Sequence, residues 1–102
     1  MGFPVVITPT AINDLEEIVR FIASDSPERA KHFGYTLIDQ ALSLAPFPEM
    51  GRVMPEMDDQ DVREIVYGSY RIIYELRHQP SAIYILRFWH AARGTPEVSH
   101  TA

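Results

Sequence analysis

The chain has 102 residues, 46% apolar and 23% charged, a balance that suits one globular domain with a modest core. It contains no cysteine, which excludes disulfides, thiol chemistry and thiolate-held metal. The net charge of −5 is divided unevenly: residues 1–62 carry 4 Lys/Arg against 11 Asp/Glu, and residues 63–102 carry 5 Arg against 3 Glu. So acidic a first part argues against stand-alone nucleic-acid binding, whose affinity is dominated by phosphate neutralisation.

Met1-Gly2-Phe3-Pro4 has no basic flank, and no apolar run approaches the ~20 residues of a membrane span. A cytoplasmic protein without membrane association is the expectation. Val5-Val6-Ile7-Thr8 is a short apolar run that predicts a strand. Around Pro9, Thr8 or Thr10 offers a capping hydroxyl, and proline is allowed in the first turn, so a helix starts here. Ile12, Leu15, Val19 and Ile22 follow at helical spacing, with Asp14, Glu16 and Glu17 near the positive end of the dipole. Ser24-Asp25-Ser26-Pro27 interrupts, and Ser26-Pro27 restarts a helix by the same device. Ala30, Phe33, Leu37, Ala41 and Leu44 form its stripe, closed by Ala45-Pro46. The connection is short, which predicts an antiparallel helical hairpin with both stripes in the core.

Residues 46–61 are rich in proline and acids and read as a connection, with one turn or short strand near Arg52–Met54. Asp58-Asp59-Gln60-Asp61 lacks the glycine and distal glutamate of a calcium loop, so the expectation is a solvated loop and no metal. Three runs rich in β-branched and aromatic residues follow: Arg63–Tyr67, Tyr70–Arg77 and Ala82–His90. Gly68-Ser69 suits a two-residue hairpin turn, which pairs Tyr67 with Tyr70, Ile65 with Ile72 and Arg63 with Tyr74. Pro80 cannot donate to a ladder, so the chain turns again at 78–81. The aromatic and aliphatic face should pack on the helices. The face carrying Glu64, Val66, Arg71, Ile73, Glu75 and Arg77 should meet water or a partner, with Glu64 and Arg71 close enough to pair. The polar tail after Gly94 is expected to fray.

The predicted fold is α+β: strand, helix, helix and a three-stranded antiparallel meander, with the helical hairpin on one face of the sheet. One domain spans residues 1–102, with a folded core of about 5–94.

This element order, the core G-S-Y-R-I-I-Y-E-L at 68–76 and the ending I-L-R-F-W-H-A-A-R-G at 85–94 resemble the RelE/ParE toxin superfamily of type II toxin–antitoxin modules, over about Val5 to Gly94. The resemblance implies a plasmid-stabilisation toxin with a cognate antitoxin and no cofactor. One branch of the superfamily cleaves messenger RNA on the ribosome; the other poisons DNA gyrase. In the nuclease pattern, an arginine matched here by Arg71 and one matched by Arg93 stabilise the cleaved phosphate. The lysines and C-terminal tyrosine of that pattern have no counterpart: the strand from Arg63 offers Arg63 and Ile65, and no tyrosine follows Tyr84. The W-H-A-A-R-G ending is more similar to the ParE branch.

Arginine is essentially never deprotonated, so a nuclease site here takes His90 as its base beside Arg71 and Arg93, or in its place Glu64 or Glu75, which share the Arg71 face. A gyrase poison needs no catalytic residue, only a surface. For that surface Arg87, Trp89, His90 and Arg93 are the candidates, since arginine and tryptophan carry much interface energy. Phe21 and Tyr35 are candidate antitoxin contacts on the helices. A third reading keeps the fold as a non-toxic antitoxin-binding module.

Overall fold

Proline preceded by a hydroxyl residue starts both helices. The computed structural model describes residues 2–98. In it, β1 (Val5–Ile7) leads into α1 (Pro9–Ala23) and α2 (Pro27–Leu42). β2 (Arg52–Val53), β3 (Val62–Tyr67), β4 (Tyr70–His78) and β5 (Ser81–His90) follow, with a 3-10 turn at Ala91–Arg93. The Thr8 hydroxyl oxygen accepts the Ala11 N–H, and that of Ser26 accepts the Arg29 N–H. Thr8 is tied to the sheet as well, since its hydroxyl and its backbone N–H both donate to the Ile85 carbonyl.

The sheet order is β1-β5-β4-β3-β2, with β1 parallel to β5 and the other neighbours antiparallel. The β3–β4 hairpin has the register that its turn dictates: Tyr67 opposite Tyr70, Ile65 opposite Ile72, Arg63 opposite Tyr74. Gly68 takes the positive φ, 59°, that this turn needs. The short strand expected near residue 52 is β2, the sheet's other edge. Nothing local to Val5–Ile7 tells where that strand pairs. It covers the first half of β5, whose Ile83, Ile85 and Leu86 are buried on both faces and would make a poor open edge.

A bulge interrupts β5. Ile73 pairs with Arg87 and Tyr74 with Ile85, so Leu86 is an extra residue against β4. Past the bulge Phe88 packs on the helix side, while Leu86 and Trp89 pack on the other.

The main core joins Ala11, Leu37, Ala41 and Leu44 to Ile72, Tyr74, Ile83, Ile85 and Phe88. Within it the Tyr74 hydroxyl donates to the Pro48 carbonyl at 2.8 Å and accepts the Gly51 N–H at 3.0 Å, so one buried phenol orders the 48–51 loop. Burial raises the Tyr74 pKa.

Three expectations are corrected. Much of the far face of the sheet does not meet water: Met54, Val62, Ile73, Leu86 and Trp89 form a second core, with Met57, Tyr84 and Val98 packed against it, while Val66 at the hairpin end of that face stays exposed. The tail is ordered at least to Val98, because Pro96 is buried and Val98 covers this core; residues 99–102 lie outside the described part. Finally, α1 is rotated from its expected stripe: Ile12 is 45% exposed, while Asp14 is buried. The cause is polar. Thr8 and Asp14 both bind β5, and these two anchors set the helix's rotation.

Candidate functional site at the end of the sheet

Beyond Ile85, β5 has lost its β1 neighbour, and α1 lies beside the open edge. Asp14 fills the gap. Its carboxylate accepts both Nε and Nη2 of Arg87, at 2.7 and 2.9 Å, and the backbone N–H of Phe88 at 3.2 Å. The remaining Arg87 nitrogen, Nη1, donates to the Glu97 carbonyl at 2.8 Å, so helix, strand and tail meet on one guanidinium. The Asp14 contact raises the Arg87 pKa, keeping a fixed cation here. Reading Asp14 as a dipole acid missed this role. The available signal was its spacing, three residues after Ala11 and four before Ile18, an acid on the apolar face of the helix.

A cleft of about 240 Å³ opens between this part of α1 and the end of the sheet. Asp14, Glu17, Ile18 and Phe21 line it from the helix, and Tyr70, Phe88, His90 and Arg93 from the sheet and its closing turn. His90 Nδ1 accepts the Ala92 N–H at 3.1 Å, which in the neutral ring leaves the proton on Nε2. The His90 ring stands edge-on to Tyr70, with centroids 4.9 Å apart. Burial raises the Tyr70 pKa, so its phenol stays neutral.

Behind the cleft, Trp89 is 8% exposed and its indole N–H donates to the Gly94 carbonyl at 2.9 Å. The Arg87 and Arg93 guanidinium carbons lie 4.7 and 4.3 Å from the centroid of its ring. Arg93 is exposed and forms no ion pair among the described residues. Of the four proposed target contacts, His90 and Arg93 thus line the cleft, and Arg87 and Trp89 brace it. Phe21 lines the same cleft and is 78% exposed; Tyr35 is 60% exposed on α2, away from the cleft lining.

Arg71 does not line this cleft. In the β4–β5 ladder it faces Trp89, while His90 faces Tyr70, so Arg71 and His90 point to opposite faces of the sheet. Its Nε donates to Glu64 at 2.6 Å, and Nη1 and Nη2 donate to Glu56 at 2.9 and 2.7 Å. Glu64 accepts Arg52 through its other oxygen, at 2.6 Å. The row Arg52–Glu64–Arg71–Glu56 is electrically neutral. The Glu64–Arg71 contact is the one expected across the hairpin; the partnership with Glu56, across a loop, was not visible in the sequence. The acids further along that loop are also engaged, Asp61 with His78 at 3.0 Å and Asp59 with the Asp61 N–H at 2.9 Å.

The Arg71 hydrogen bonds hold the Glu56 pKa below the ordinary value of 4.5. A depressed carboxylate pKa contributes stability that is complete above the ordinary value and is lost as pH falls through the folded one. In urea unfolding, the stability gap between wild type and Glu56→Gln should therefore stay constant down to about pH 5 and close below it. A gap that persists to strongly acidic pH would show that Glu56 contributes nothing through its charge.

No helix among the described residues is long and apolar enough to cross a membrane.

Residues 5–94 match the family model described as the ParE toxin of the type II toxin–antitoxin system, parDE. Among solved structures, the fold is similar to a chain of the chromosomal ParDE toxin–antitoxin system from P. aeruginosa, with a TM-score of 0.70 and 20% identity. That match covers 87% of this chain and 96% of the other. It is also similar to a chain of the RelBE2 toxin–antitoxin complex from Mycobacterium tuberculosis, with a TM-score of 0.66 and 22% identity over 88% and 99% of the two chains. No protein of curated function matches in sequence.

Proposed function

Because the chain belongs to the ParE toxin family of type II toxin–antitoxin systems, we propose that it acts by trapping DNA gyrase on cleaved DNA, using the end of the sheet that carries His90 and Arg93. The observation that carries this reading is the separation of Arg71 from His90. Ribosome-dependent RNA cleavage would need positive charge and a base around one phosphate. Here Arg71 is neutralised by two carboxylates on the face opposite His90, which disfavours the nuclease reading. What remains accessible is an exposed arginine, without an ion pair among the described residues, stacked on a tryptophan beside a cleft, a surface suited to a protein partner.

The test is a DNA-cleavage assay with purified protein, gyrase, ATP and supercoiled plasmid. Linear DNA should accumulate with dose. An Arg93→Ala variant should be at least about tenfold less potent with unchanged thermal stability, as for a surface hot spot. No trapped breaks from a preparation that still arrests cells on expression would transfer the case to ribosome-dependent RNA cleavage. Harmless expression with antitoxin binding intact would indicate a module that has lost toxicity.

The antitoxin of the same module is the expected partner. Phe21 and Tyr35 are large aromatic side chains left in water on the two helices, and an antitoxin segment that folds on binding would cover them. Replacing both with serine should weaken antitoxin binding about tenfold or more, measured by calorimetry. Unchanged affinity would remove the helical surface from the interface. Since Phe21 shares the cleft with His90 and Arg93, an antitoxin seated there would also cover the proposed gyrase surface.

A further inference from the structure

The structure assigns Asp14 as the positioning residue of the Arg93 surface, acting through Arg87 and Trp89; the link to gyrase rests on the function proposed above. Each step is a short contact. Asp14 clamps Arg87 through two nitrogens and takes the Phe88 N–H at the open edge of β5, so one buried carboxylate orders both the strand end and the side chain next to it. Arg87 lies over the Trp89 ring, and so does Arg93. Trp89 is held in turn by its indole bond to the Gly94 carbonyl, on the residue that follows Arg93. Arg93 itself is exposed and makes no ion pair among the described residues, so Trp89 is the contact that orients its guanidinium toward the cleft mouth. A planar guanidinium needs such a platform to stay in one orientation on an open surface.

The carboxylate's charge is the essential property. An asparagine at position 14 would keep one acceptor oxygen and the side-chain shape, but would lose one of the two acceptors and the charge that holds Arg87. Arg87, left with one acceptor at position 14 and the Glu97 carbonyl, would then be held less firmly over the ring, and Trp89 would lose part of its cover. Trp89 is the only tryptophan of the chain, so its fluorescence reports this arrangement without interference.

The experiment compares wild type, Asp14→Asn and Arg87→Lys, each first shown by circular dichroism to be folded. Lysine keeps the charge but cannot make the two-pronged contact, and serves as the second variant should Asp14→Asn fail to fold. Both variants should move Trp89 emission to longer wavelength and raise its quenching by acrylamide, and Asp14→Asn should trap gyrase breaks about tenfold less well than wild type. A merely structural role would lower thermal stability and leave the tryptophan signature and the potency of the folded protein alone. Wild-type emission and quenching in the folded variants would overturn the assignment, and so would full potency in folded Asp14→Asn. If wild type traps no breaks, the gyrase reading falls on its own, and the tryptophan signature alone then decides the role of Asp14.

Discussion

Arg71→Ala lowers the free energy of unfolding by about 3–5 kcal/mol, the range for removing one partner of a buried ion pair. The Glu64 carboxylate is wholly buried between two guanidiniums, but Arg52 is 66% exposed, so water weakens the pair that would remain. Without Arg71, one Glu64 oxygen has no donor and Glu56 loses the two-pronged guanidinium contact. A charge left unpaired in the interior costs far more than its pair contributed. Urea unfolding measures the loss, and a change below about 1 kcal/mol would mean that the row of charges relaxes freely into water. The double variant Glu64→Leu with Arg71→Met should recover most of the loss, since apolar side chains beside Ile73 and Trp89 leave little charge to bury. Strict additivity of the two single losses would contradict this coupling.

Gly51→Ala costs about 2–3 kcal/mol, as expected when a methyl group is forced into filled space. A Cβ at this position would lie 2.5 Å from the Glu64 carbonyl oxygen and 2.7 Å from the Tyr74 hydroxyl. The first is backbone of β3, so relief means moving the β2–β3 pairing and not merely turning a side chain. The second breaks the site where Tyr74 accepts the Gly51 N–H. Gly34→Ala is the control. Its Cβ would meet only the Val19 Cγ2 methyl of α1, at 2.9 Å, a single side-chain contact with no backbone in the way, though a β-branched valine in a helix shifts less readily than a flexible side chain. Exchanging glycine for alanine inside a helix also returns up to about 1 kcal/mol of propensity, so this substitution should cost clearly less than Gly51→Ala. Thermal denaturation of the two variants side by side would test the contrast, and equal losses would refute it.

These two variants mark where local reading stops. Gly51 looks like any glycine in a proline-rich connection, and Glu56 like any acid in a solvated loop. Their constraint comes from Tyr74 and Arg71, more than a dozen residues away along the chain. The same holds for Asp14, which lies 73 residues before Arg87. A free dipole acid and a buried clamp have the same side chain, and periodicity gives only the hint that this one sits on the apolar face.

By itself, the sequence determined what depends on neighbours. Hydroxyl-proline pairs started both helices, Gly68-Ser69 set the register of the β3–β4 hairpin, and alternation assigned Ile65, Ile72 and Tyr74 to the helix side. Each is a matter of backbone geometry within a few residues. The tertiary structure alone decided that β1 lies parallel to β5, that a bulge at Leu86 turns Phe88 and Trp89 to their two cores, and that a loop and the tail cover much of the far face. It also decided which arginines are consumed by carboxylates, and left Arg93 exposed on Trp89 with no ion pair among the described residues. Those outcomes rest on pairings between distant residues, where burial determines whether a charge is solvated, paired or left free to bind.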